Sequence, residues 1–81
     1  MLSNKEYADK MRDRFPAGTR VEMDYMDDPD AILPGTKGTV DHIDDVGQIH
    51  VNWDNGRYIA IIPEEDSFHK IIEKGRDNGA R

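Results

Sequence analysis

Gln48-Ile49-His50-Val51-Asn52-Trp53, Asp54-Asn55-Gly56 and Arg57-Tyr58-Ile59-Ala60-Ile61-Ile62, read as one continuous stretch, decide the fold of this 81-residue chain. Apolar and polar residues alternate on both sides of a turn signal, the pattern of a β-hairpin. Two registers compete. A two-residue Asn55-Gly56 turn pairs Trp53 with Tyr58 and leaves Ile59 and Ile61 on the outer face beside His50 and Asn52. A three-residue Asp54-Asn55-Gly56 loop, with Gly56 in a left-handed bulge, pairs Val51 with Ile59 and Ile49 with Ile61. A slip of one residue exchanges the two faces of a strand, so the register sets the core. We adopt the three-residue loop, because it gathers Ile49, Val51, Trp53, Ile59 and Ile61 inside and turns His50, Asn52, Tyr58 and Ala60 outward.

Upstream of the hairpin, Thr36 to Ile43 reads as a strand, with Val40 and Ile43 out of strict alternation and therefore a bulge expected between them. Asp44-Asp45-Val46-Gly47 is a turn. Asp27 to Gly35 holds two prolines and three aspartates and reads as one long irregular loop. Before it, Val21, Met23 and Tyr25 alternate with Arg20, Glu22 and Asp24, as in a strand with one buried face. Ser3-Asn4-Lys5-Glu6 has capping-box spacing, and Tyr7, Ala8, Met11 and Phe15 then line one side of a short helix that ends at Pro16 and Gly18. Such a helix is marginal alone, so its stripe must lie on the sheet or on another chain.

Downstream, Pro63 ends the hairpin, Glu64-Glu65-Asp66-Ser67 suits a single helical turn, and Phe68 to Ile72 makes a last strand. Five short strands with these connections predict a mainly β fold, a five-stranded SH3-like small barrel over residues 18–72. A short N-terminal amphipathic helix occupies residues 1–17, and a disordered C-terminal tail residues 73–81. The competing OB fold commonly carries a helix between its third and fourth strands, where this chain has a tight turn.

Charge is unevenly spread. Residues 22–66 hold twelve Asp or Glu against Lys37 and Arg57, while each end of the chain is slightly basic and the net charge is -6. Binding to nucleic acid rests on phosphate neutralisation, so an acidic body argues against it and favours a basic peptide or protein. The absence of cysteine and of any long apolar run predicts a cytoplasmic protein without membrane contact, and a monomer is the expected state.

No nucleophile sits in a catalytic motif, so an enzyme is not expected. His42, His50 and His69 lack zinc-motif spacing, and Asp27, Asp28 and Asp30 lack the glycine and terminal glutamate of a calcium loop, so neither metal nor cofactor is expected. The remaining candidate is a recognition face built from Tyr25, Met26, Asp27, Asp28, Asp30, Pro34, Glu64 and Glu65, extended by outward His50 and Tyr58. Aromatic plates beside carboxylates suit a Lys- or Arg-bearing peptide. Two readings compete with this: Tyr25 belongs to the core and the acids are merely solvated, or the acidic body imitates nucleic-acid phosphate and occupies a host DNA-binding protein.

Arg14-Phe15-Pro16-Ala17-Gly18-Thr19-Arg20-Val21, Met26-Asp27-Asp28-Pro29, Pro34-Gly35-Thr36-Lys37-Gly38-Thr39-Val40, Val51-Asn52-Trp53-Asp54-Asn55-Gly56 and Asp66-Ser67-Phe68 occur in fixed order. Together they resemble domain of unknown function 4314, over about Arg14 to Ile71. That resemblance implies a small protein of Gram-positive bacteria, their phages or conjugative elements, with no activity to carry over. A remoter similarity to SH3-like modules such as Mib-Herc domains implies binding rather than catalysis.

Overall fold

The computed structural model describes residues 3–28 and 31–72. Its elements are a helix α1 (Asn4–Arg14) and strands β1 (Arg20–Tyr25), β2 (Lys37–Ile43), β3 (Ile49–Trp53), β4 (Tyr58–Ile61) and β5 (Ser67–Lys70). The strands form one antiparallel sheet in the order β4-β3-β2-β1-β5. The expected disordered tail lies outside the described residues.

The decisive hairpin takes the three-residue register. Ile49 pairs with Ile61, His50 with Ala60, Val51 with Ile59 and Asn52 with Tyr58. Gly56 has φ 92°, as its left-handed bulge requires. Ile49, Val51 and Ile61 are fully buried and Ile59 packs against them. Trp53 closes this end of the core, its indole Nε1 donating to the Ile59 carbonyl at 3.0 Å.

The bulge expected in β2 is present between Val40 and His42. A second, in β1 between Met23 and Tyr25, breaks the alternation read from the sequence. After it Tyr25 faces water and Met26 is buried. The long β1–β2 loop also contributes to the core, since Ile32 within it is 1% exposed. Burying a side chain of that size is worth about 1.5–3 kcal/mol, enough to anchor an otherwise irregular excursion.

The helix stripe packs on its own sheet. Met11 and Phe15 belong to the buried core with Tyr7 against them, so the docking of α1 on another chain is not needed to cover its apolar face. Ser3 Oγ accepts from the Glu6 amide at 3.1 Å and Glu6 Oε1 from the Ser3 amide at 3.0 Å, completing the capping box. Arg12 Nη2 reaches the Ile43 and Asp44 carbonyls at 3.3 and 3.4 Å and ties the helix to the β2–β3 turn. At that turn a Cβ on Gly47 would fall on the Tyr7 ring, so glycine lets the helix approach.

The sheet is not closed into a barrel. β4 and β5 stand at its two ends, and no ladder joins them among the described residues. Both strands are only four residues long, and Pro63, lacking an N–H, stops β4. A side chain of the turn between them ties that turn to the β1–β2 loop.

Candidate functional site

The principal bridge is Asp66, whose side chain is buried at the start of β5. Its Oδ1 accepts the Asp27 amide at 3.1 Å and its Oδ2 the Ile62 amide at 2.8 Å. One carboxylate thus joins the mouth of the β1–β2 loop to the end of β4. The amides of Glu65 and Asp66 donate to the Ile62 carbonyl, each at 2.9 Å, so Glu64 and Glu65 ride on a turn pinned next to Asp27.

Several candidate residues meet at this end of the sheet. The β1 bulge leaves Tyr25 56% exposed, its hydroxyl 3.5 Å from Asp27 Oδ1, at the limit of hydrogen-bonding range. Tyr25 is therefore not a core residue. Asp27, Asp28, Pro34 and Glu65 are exposed, and Leu33, absent from the sequence-derived set, adds an apolar side chain that is 71% exposed. Met26 is corrected: it is 7% exposed, because the bulge turns it inward, and it cannot face a partner. Asp30 lies outside the described residues. Glu64 is exposed and also borders a groove of about 630 Å³ with Tyr7, Val46 and Ile62. Desolvation, and then the Glu64 charge, push the Tyr7 hydroxyl above its usual pKa.

His50 and Tyr58 occupy a different place, on β3 and β4, with β2 and β3 lying between β4 and β1 in the sheet. His50 stacks on His42, with ring centroids 4.4 Å apart and planes 7° from parallel, and Tyr58 lies tilted beside it at 6.1 Å. Asp41 Oδ2 accepts from the Tyr58 hydroxyl at 3.0 Å and lies 2.8 Å from His42 Nδ1. These bonds, the His42 one foremost, hold the Asp41 carboxyl below its usual range. Asp44 Oδ2 lies 2.9 Å from His50 Nε2. Burial raises the Asp44 carboxyl, but bonds from His50 and the Gln48 and Val46 amides outweigh it, and the net direction is down. Desolvation, followed by Asp41, raises Tyr58.

The outer-face carboxylates therefore serve the chain's own donors. Asp54 receives a two-pronged pair from Arg20, at 2.9 and 2.7 Å, and is held below its usual range chiefly by that contact. Asp24 contacts His69 Nδ1 at 3.0 Å. Among the described residues no three His, Asp or Glu converge as a metal site would require. The end carrying Tyr25 and Asp27 and the face carrying His50 and Tyr58 are thus distinct surfaces, not one continuous site. Asp66 stands in the Asp66-Ser67-Phe68 segment of the family resemblance, but that segment does not show which amides its carboxylate meets.

No curated protein matches this chain. A family model does, over residues 4–71, a span that includes α1 and every strand. On that match the chain belongs to the family described as Domain of unknown function (DUF4314).

Proposed function

We propose that this chain is a non-enzymatic interaction module that captures a basic peptide or a basic segment of a protein where the β1–β2 loop meets the β4–β5 turn. The observation that carries the reading is the Asp66 staple. It pins the Asp27 backbone to the turn that carries Glu65, and exposed Tyr25, its hydroxyl 3.5 Å from Asp27 Oδ1, offers a ring face within reach of negative charge. A Lys or Arg side chain is recognised by that combination, its charge by the carboxylates and its stem or guanidinium by the ring. The meander order of the strands supports an SH3-like kinship, and family resemblance supports a cytoplasmic role in Gram-positive bacteria or their mobile elements.

The nucleic-acid-mimic reading draws less support. Asp24, Asp41, Asp44 and Asp54 are each engaged by a histidine or arginine of the chain, so the outer face does not present a row of free charge.

The test compares wild type with Asp27→Lys/Asp28→Lys and with Tyr25→Ala against an array of Lys- and Arg-rich peptides. Binding by wild type should weaken with salt and vanish in the charge-reversed protein, while amide NMR dispersion stays native. Equal capture by the double variant refutes the assignment.

A further inference from the structure

We propose that the free edge of β5 is a second binding site, which takes up an extended acidic peptide as an added strand. The hydrogen-bond phase of the β1–β5 ladder shows which backbone groups of β5 point away from β1. Ile71 N–H donates to the Arg20 carbonyl at 2.9 Å, and the register pairs Glu22 with His69. In an antiparallel ladder bonded and unbonded pairs alternate, so the N–H and C=O of Phe68 and Lys70 point away from β1. β5 is the last strand of the sheet, and among the described residues nothing bonds these four groups. An unpaired edge of this kind is a template for another strand.

Beside the edge lies a groove of about 410 Å³ with Phe15, Phe68 and Pro63 on its walls and Arg14, His69 and Lys70 around them. The two phenylalanine rings stand 5.2 Å apart. No acidic residue lines the groove, in a chain that is strongly acidic between residues 22 and 66. Arg14 and Lys70 lie 5.3 and 5.5 Å from the Phe15 ring centre, and no carboxylate among the described residues pairs with either. His69 is already engaged by Asp24 at 3.0 Å and lies 3.9 Å from Glu22, so the positive charge of the groove comes from Arg14 and Lys70.

These features select the occupant. Backbone pairing with Phe68 and Lys70 requires an extended segment, the aromatic walls favour one apolar side chain, and the cations favour Asp or Glu at flanking positions. A second copy of β5, Ser67-Phe68-His69-Lys70, brings no carboxylate for Arg14 and Lys70 and so does not match the charge of the groove. The site shares no residue with the acidic loop face, which adjoins the start of β5, and takes a ligand of opposite charge.

The experiment uses the full chain, isotope-labelled, with the probe acetyl-Glu-Val-Glu-Phe-Glu-Val-amide and the same probe N-methylated at alternate residues. The plain probe should shift the Phe68 and Lys70 amides and slow their exchange with solvent, and the N-methylated probe should not bind. Arg14→Glu/Lys70→Glu changes two exposed residues, so the fold should persist while affinity falls about tenfold or more. Asp27→Lys/Asp28→Lys should bind the probe at least as well as wild type, which separates this site from the loop face. The proposal is overturned if the plain probe does not bind, if it binds without protecting those two amides, or if the N-methylated probe binds equally. Concentration-dependent protection of the same amides without probe would assign the edge to self-association and also overturn it.

Discussion

Replacing Asp66 with alanine should destabilise this protein more than any other change to a single acidic side chain. The carboxylate accepts the Asp27 and Ile62 amides at 3.1 and 2.8 Å, both part-buried, and holds the seam that backbone ladders leave open. A hydrogen bond to a charged acceptor contributes about 1.5–3 kcal/mol. Two such bonds add to about 3–6 kcal/mol, and because water would partly replace the lost partners the expected loss is about 2–4 kcal/mol. A domain of this length is stable by roughly 4–12 kcal/mol, so the loss is a large fraction of the total. It corresponds to a fall in melting temperature of about 10–25 °C. Trp53, the only tryptophan and 3% exposed, reports unfolding by fluorescence. Asp66→Asn retains one oxygen acceptor and should lose about half as much. In Asp66→Ala the Asp27 and Ile62 amides should both exchange faster than global destabilisation alone allows, and in Asp66→Asn one of the two should. Stability within about 0.5 kcal/mol of wild type for Asp66→Ala would refute the staple.

Gly38→Ala should cost about 1–3 kcal/mol in a thermal melt, because the new Cβ would lie 2.6 Å from Val51 Cγ1, 2.8 Å from Trp53 Cε3 and 3.0 Å from the Asn52 carbonyl oxygen. Gly47→Ala meets the Tyr7 ring and a φ of 89°, so it should undock α1 and expose the helix to limited proteolysis. Combined with Tyr7→Ala it should cost less than the two changes added, because the clash is then gone; additivity would contradict the contact. His69 should titrate above 6.5 in an NMR experiment, and Asp24→Asn should bring it down, since Asp24 is the main cause of the rise. The folded state binds that proton more tightly than the unfolded chain. Its contribution is therefore full below pH 6.5 and disappears as pH rises through the folded value, which a urea series on either side of that window would detect. Asp41, Asp44 and Asp54 act in the opposite sense: their lowered values supply stability above pH 3.8 that is lost on further acidification, and wild type should show a steeper acid limb than Asp54→Asn.

Local pattern alone carried the strands and the hairpin register, because period-2 alternation and an Asp-Asn-Gly turn act between neighbours in the chain. The same holds for the capping box and for the β2 bulge, which shows as a three-residue gap between Val40 and Ile43. Its counterpart in β1 left no such trace, since Val21, Met23 and Tyr25 keep perfect alternation in the sequence. Pairing with β5 introduces the shift, and it exchanges the fates of Tyr25 and Met26. Ile32 likewise reads as a loop residue until the fold carries it into the core.

The candidate surface divides in the same way. Which side chains are acidic or aromatic was settled by the amino-acid order, and so was the outward direction of His50 and Tyr58. Whether they gather was decided by contacts over long separations, Asp66 with Asp27 at one end and Tyr58 with Asp41 on the outer face. Closure was decided there too. Strand count and turn spacing describe each strand with its neighbour, whereas joining the first and last members of a sheet depends on how far β4 and β5 extend past Pro63, a property of the assembled chain.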